Sequence, residues 1–352
     1  MGKKLGYRDK YGAAEGCQSN HTCPGRGKNS GFLHYRDPQG GGKLKDRRGF
    51  ALVLTLIITV LLVALLVEFI NDVYVDTSSR HNFVAAQQAS ILAESGVAGA
   101  VKILQLSLAT QSYSTLSDFW AKPLRFEEEK GELQISITEE NARLSLNHVA
   151  LPNGTKDEVY YGMMFRLTKG LGLEATTLCE ALADWIDEND YPQPTGAESV
   201  WYRNLKPPYQ PRNARLETVE ELGLVKGFSG KALQKLRPFI TVYAESPSAP
   251  AAPVNINTAP LEVLVALHEQ MDEDLGKRII EYRRITPFKN PAELSKVAGM
   301  ESISTSLLTR ITTKGSIYRI HSQARVGEVT RLIEAVVRTS GSQLTVIYWR
   351  EY

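Results

Sequence analysis

The sequence predicts an α+β fold: a long N-terminal helix, its first part in a membrane, packed on an antiparallel sheet that a large α-helical insertion interrupts. Three observations predict it. The run from Phe50 to Val67 holds no charged residue, and no proline follows until after Leu108. Apolar and polar residues alternate in Glu132–Thr138 and Ala142–Asn147, then again only in Tyr318–Val326, Val329–Arg338 and Leu344–Trp349. Between these two groups the pattern is helical, broken by loops.

An apolar run of about 18 residues is long enough to cross a bilayer as a helix. Lys43, Lys45, Arg47 and Arg48 precede it, and Glu68, Asp72 and Asp76 follow it. That charge step places the N-terminus in the cytoplasm and the rest of the chain outside. Residues 50–70 are the expected span. Beyond it, apolar residues recur at helical spacing through Leu108, with a possible kink near Asp76–Arg80. Small residues on this stretch (Ala85, Ala86, Ala89, Ala93, Gly96, Ala100) suit close packing, first of all on the chain's own sheet.

Residues 1–49 carry 11 basic and 4 acidic side chains, a net of +7, whereas the whole chain is +2, so residues 50–352 carry −5. An acidic exterior part opposes broad nucleic-acid binding. Residues 1–42 lack periodic apolar pattern and are expected to be disordered. A leader of this length also suits a translation start nearer Leu33 or Leu44. Of three cysteines only Cys179 lies beyond residue 49, so no disulfide is expected there. Cys17, His21 and Cys23 lack the four well-spaced ligands of a zinc site.

The expected organisation is residues 71–155 for the second part of the helix and the first strands, with Glu139–Asn141 as a turn between two of them. A helical insertion over 156–313 follows, then C-terminal strands over 314–352 that complete the sheet. The insertion divides at a Pro- and Ala-rich linker, residues 245–253. Its first half has helical segments at Val159–Thr168, Thr176–Glu188, Thr218–Leu222 and Gly230–Leu236, with a loop holding five prolines from Glu188 to Arg215. In the second half, Thr258 is expected to cap a helix from Ala259 to His268. Helices at Leu275–Arg284, Pro291–Lys296 and Ile303–Ile311 follow.

The chemistry-bearing constellation is acidic. Asp184 and Asp187 share a helix face, Asp190 follows in the loop, and Glu198 returns to it. Crowded carboxylates repel unless solvated or neutralised by a cation. Hard oxygen ligands on a loop suit Ca²⁺, although no EF-hand spacing is present; a solvated acidic helix end is the competing reading. Nucleophile, zinc-protease and phosphate-loop motifs are missing, and His81, His148, His268 and His321 are scattered. An enzyme is not expected.

Two resemblances follow from these residues. The basic segment ending in Gly49, then Phe50 and the apolar helix, resembles a type IV prepilin-like signal. That implies a membrane peptidase cutting after Gly49 and methylating the new terminus at Phe50. Such proteins mostly carry Glu at the fifth mature position, where this chain has Leu54. Val254–Pro260, Ile279–Arg283 and Glu293–Leu294 resemble a tandem helix-hairpin-helix (SAM-like) module, a DNA-phosphate binder elsewhere. Its first hairpin here, His268–Asp274, has no glycine and four acidic residues.

Taken with Asp184–Asp187, Gly196–Glu198, Pro207–Tyr209 and Asn255–Ala259, the chain resembles the minor pseudopilin K family of type II secretion. The resemblance implies a non-enzymatic, single-pass inner-membrane protein with a periplasmic globular part. It caps a pseudopilus tip beside minor pseudopilins I and J, after prepilin peptidase processing, on the inner-membrane assembly platform. It also implies calcium held by Asp184, Asp187, Asp190 and Glu198, and no nucleic-acid partner. Ser199 departs from the acidic residue expected beside Glu198. Two other classes share parts of the pattern: a membrane-anchored DNA-uptake protein and a minor pilin of a type IV pilus. The acidic hairpin opposes the first, and Leu54 with the large insertion opposes the second.

Overall fold

A computed structural model of the chain describes residues 48–128, 131–244, 253–341 and 343–352. The leader before Arg48 and all of the linker but Pro253 lie outside the described residues. The chain divides into two units, Met1–Glu68 and Phe69–Tyr352. Helix α1 spans Arg48–Thr110, 63 residues.

The described part of the first unit is helix throughout, uncharged from Phe50 to Val67 and exposed along that run. Its most apolar window has a mean hydropathy of 3.2, enough to cross a membrane. Two threonines are satisfied within the helix: Thr55 Oγ1 donates to the Leu52 carbonyl and Thr59 Oγ1 to that of Thr55. No break interrupts α1 at Asp76–Arg80, where the expected kink is replaced by an exposed pair one turn apart, Arg80 Nε to Asp76 Oδ2 at 2.9 Å. With no proline there, the backbone ladder simply continues.

In the second unit α1 lies on a five-stranded antiparallel sheet. Its strands are β1 (Leu124–Glu128), β2 (Gly131–Glu139), β7 (Ile317–Val326), β8 (Val329–Ser340) and β9 (Gln343–Glu351), hydrogen-bonded in that spatial order. Ala93, Val97, Ala100 and Leu104 of α1 meet Ile135, Ile137, Tyr318, Ile320, Ile333 and Ala335 in one core. Small residues let the helix backbone approach the sheet. Ser322 Oγ donates to the Ala93 carbonyl at 2.8 Å, and a Cβ built on Gly96 would stand 2.2 Å from Ser322 Oγ.

The sheet is interrupted between β2 and β7. The expected hairpin of Glu132–Thr138 with Ala142–Asn147 does not form. A 3-10 turn at Glu140–Ala142 carries the chain out of the sheet, and β3 (Leu144–Ser145) pairs in parallel with β4 (Ile240–Thr241). Leu144 and Leu146 belong to the insertion's core, so their alternation reports a different layer. The missed strand is β1: its charged sequence Leu-Arg-Phe-Glu-Glu hides the alternation, as suits an edge.

The insertion's first half contains α2 (Glu158–Gly170), α3 (Ala175–Ile186), α4 (Ser199–Arg203) and α5 (Gly230–Leu236), with a 3-10 turn at Val219–Leu224. The second half runs from β5 (Val254–Asn255) through α6 (Leu261–Ala266), α7 (Glu273–Ile285) and α8 (Ser304–Leu307) to β6 (Ile311–Thr312). Strands β5 and β6 also pair in parallel, so both halves begin and end side by side.

Two boundaries differ from expectation. Thr258 does not cap α6: its N–H and that of Ala259 both go to the Asn255 carbonyl, and Pro260 leads into a helix that starts at Leu261. The expected helix Ile303–Ile311 is one turn, because Ile311 leaves it to pair with Val254. Pro291–Lys296 is present as a 3-10 helix.

A measurement separates tight from open positions on α1. Gly96→Val is expected to lower stability by about 1–3 kcal/mol, because it overfills the helix–sheet contact. Gly99, with nothing within 4 Å of an added Cβ, tolerates Gly99→Ala with a gain of roughly 0.5–1 kcal/mol. Urea unfolding of residues 76–352 checks both; equal effects at the two sites contradict the packing described.

Candidate metal centre

The last turn of α3 is entirely buried, and the chain extends from it at Asp187, whose N–H still reaches the Ala183 carbonyl. Asp184 and Asp187 therefore face inward from one helix end. The following loop folds back over them. Gln193 N–H lies 3.1 Å from both Asp184 oxygens, and Asn189 N–H donates to Asp187 Oδ1 at 3.0 Å. Glu180, one turn before Asp184, clamps the loop: Thr195 donates its N–H and its hydroxyl to Oε2, each at 2.7 Å. Lys156 Nζ meets the other Glu180 oxygen at 3.0 Å, and Lys226 Nζ donates to the Thr195 and Gly196 carbonyls.

That clamp delivers Glu198 to the two aspartates. One carboxylate oxygen from each of Asp184, Asp187 and Glu198 lies within 4.8 Å of the others, and all three residues are buried. Gly196 is required by the geometry, because a Cβ there would stand 1.9 Å from Asp184 Oδ2. Asp187 Oδ2 and both oxygens of Glu198 receive no hydrogen-bond donor. Asp190, expected with the other three, lies outside the trio. It is exposed, and its Oδ1 accepts the N–H of Ser199 at 3.1 Å. Thus Ser199, where an acidic residue was expected, serves through its backbone and hydroxyl to hold Asp190's carboxyl below its usual range.

The electrostatics are those of a centre lacking positive charge. Burial first, then the Asp187 charge, pushes Asp184 up to about 7 against the Gln193 N–H. Burial pushes Asp187 up to about 6. Glu198 rises to about 8 through burial and then the charges of Asp184, Asp187 and Asp190. Three oxygen-only donors, two of them with orphaned buried oxygens, and no imidazole or thiolate in the trio fit a hard cation of the calcium type. Such an ion would draw its ligands from Asp184, Asp187 and Glu198.

The two hairpins of the second half have occupied amides. Gly299, at φ +92°, donates its N–H to Glu301 Oε2 at 2.9 Å. In the first hairpin Gln270 N–H goes to His268 Nδ1 and Leu275 N–H to Asp272 Oδ1.

Residues 142–245 and 254–314 match two sequence profiles, both described as type II secretion system protein K. Type II secretion system protein K of Pectobacterium carotovorum subsp. carotovorum is 28% identical over 327 residues, covering 87% of this chain and 96% of the relative. The Pseudomonas aeruginosa protein K is 28% identical over 72% of this chain. Over most of its length the chain is similar to type II secretion system protein K.

A protein of this family is a minor pseudopilin, a structural component of the secretion machinery. The two matched regions coincide with the two halves of the insertion, each closed by its own parallel pair of strands. The fold is also that of a chain in the crystal structure of the GspK-GspI-GspJ complex from enterotoxigenic Escherichia coli. The TM-score is 0.68 at 21% identity, over 79% of this chain and 99% of that one. Sequence reading of the family motif missed Glu180, Lys156 and Lys226. Glu180 stands one turn before Asp184, a spacing that was available as a signal; the two lysines come from distant segments and gave none.

The raised carboxyl values fix a pH dependence. Between the ordinary carboxyl range near 4 and values of about 6 to 8, the folded chain binds protons that the unfolded chain does not. With chelator present, the melting temperature of residues 76–352 is therefore expected to fall as pH rises from about 5 to about 8. Calcium should remove most of that fall. At a hundredfold excess over Kd it adds about 2.7 kcal/mol. Asp187→Ala and Gly196→Ala should each abolish the calcium gain. Identical melting curves with calcium and with chelator would sink the metal reading.

Proposed function

We propose that this protein is the non-enzymatic tip subunit of a periplasmic pseudopilus. It is anchored in the inner membrane by residues 50–70, contacts minor pseudopilins I and J, and holds calcium at Asp184, Asp187 and Glu198. The observation that carries the tip assignment is Leu54. In the prepilin-like class a Glu at that mature position is thought to neutralise the amine of the adjoining subunit within the membrane. An unpaired charge in lipid costs on the order of several kcal/mol. Leu54 offers no carboxylate to a subunit entering above, and a subunit at the tip has none above it. The insertion between β2 and β7 supports the same reading, because it adds bulk where a further globular domain would stack. The relative of like fold was solved together with GspI and GspJ. Nucleic acid has no place in this reading, since Gln270, Leu275 and Gly299 donate their amides to the chain's own side chains and residues 50–352 are net acidic.

Two measurements test it. Processing by prepilin peptidase is expected after Gly49, which stands exposed in the first turn of α1 with nothing within 4 Å of an added Cβ. The Gly49→Val variant should remain full length on a blot beside a processed wild type; equal processing of both is the adverse result. Assembly with pseudopilins I and J should give one copy of each chain by native mass spectrometry. Immunogold label at regular spacing along a filament, instead of at one end, would rule out the tip position.

A further inference from the structure

Glu139 ends β2 buried, and among the described residues no cation pairs with it. Its hydrogen-bond partners come from two other parts of the fold. Asn255 Nδ2, in β5 of the insertion's second half, donates to Oε1 at 2.8 Å. Ser114 Oγ, just after α1, donates to Oε2 at 3.2 Å. The same Asn255 amide reaches Ser114 Oγ at 2.9 Å, and Gly315 N–H, at the return to the sheet, donates to that hydroxyl as well. Gly315 is packed so tightly here that a Cβ would stand 2.4 Å from the Glu139 carboxyl carbon. One carboxyl thus ties together the end of α1, the edge of the insertion and the entry of β7.

The charged groups around it leave it uncompensated. Asp118 faces it from the segment after α1 and spends its oxygens on Thr115 and the Trp120 indole. Tyr318 lies opposite in β7, its hydroxyl on the Gly315 carbonyl. The cations nearby are committed elsewhere. Lys314 Nζ donates to the Leu108 and Gln111 carbonyls, and Arg143 and Arg319 pair with Glu140.

We infer that Glu139 is a proton-operated latch: with its proton the second half of the insertion is held to the sheet and to α1, and ionisation loosens that joint. Burial favours the neutral acid, while the donors from Asn255 and Ser114 favour the anion. The balance puts its carboxyl at about 7. The sign follows. Below the ordinary carboxyl value both closed and open joints are protonated; from there up to about 7 only the closed joint keeps its proton. Opening therefore becomes easier as pH rises through that window and stays easier above it.

The test is hydrogen exchange on the full chain in detergent micelles, with calcium in excess, at about pH 5.5 and about pH 8 after correction for intrinsic rates. In the wild type, the amides of Ser114, Ile256 and Gly315 should lose roughly tenfold or more protection at the higher pH. The Glu139→Gln variant, a neutral mimic, should change by less than about twofold there. The amides of Ile333 and Ala335, inside the sheet, serve as reference in both chains. Should the variant fail to fold, the wild-type profile against those reference amides decides. Unchanged protection of the three amides in the wild type, or the same loss in both chains, overturns the latch.

Discussion

Three consecutive polar residues, Glu139, Glu140 and Asn141, are buried at the point where the chain leaves the sheet, and the arrangement of the whole globular part depends on how they are satisfied. Glu139 holds Asn255 and Ser114. Glu140 takes Arg143, Arg319 and the Thr241 hydroxyl. Asn141 donates to the Pro253 carbonyl at 3.1 Å and accepts the N–H groups of Ser316 and Ile317. The outgoing strand, both halves of the insertion and the returning strand are thereby wired to one tripeptide. An apolar segment here would pack, but it would not dictate which backbone groups meet, because burial is non-directional.

Glu139 and Glu140, two adjacent buried carboxylates, behave in opposite ways, and the reason is local. Burial alone would raise Glu140, yet the guanidinium charges of Arg143 and Arg319 outweigh it and hold the carboxyl below its usual range. Glu139, its sequence neighbour, has only neutral donors among the described residues and is raised by burial. The acidic trio at the end of α3 resembles Glu139 in lacking positive partners, but it differs in having orphaned lone pairs. That difference separates a group that resolves its cost with a proton from a cluster suited to an ion.

Much of this architecture is legible in the sequence. The apolar run, the C-terminal strands and the helical periods of the insertion rest on patterns that tertiary contacts reinforce. The trio's members Asp184, Asp187 and Glu198 are legible because acidic residues crowd a helix end and its loop. Asp190 lies beside the trio and fastens the Ser199 N–H, a contact that spacing alone does not reveal. Ala142–Asn147 misleads because alternation marks a face without naming the layer it faces. Its Leu144 and Leu146 serve the insertion's core while Asn147 reaches the Leu216 and Val242 carbonyls. Thr258 looks like a cap until Asn255 claims the turn before it, a contact set by the chain's own Asx geometry.

The parallel pairs β3–β4 and β5–β6 have a consequence for how such a chain folds. The partners Glu140 and Arg319 are 179 positions apart. Closing a loop of that length directly is slow, and β2 would wait with an open edge throughout. Because each half of the insertion brings its own two ends together, a finished half acts as a short connector. Once both are complete, β2 and β7 are separated by a few residues of effective chain. An order of insertion first and sheet last would leave the aggregation-prone strand pairing to a single late step.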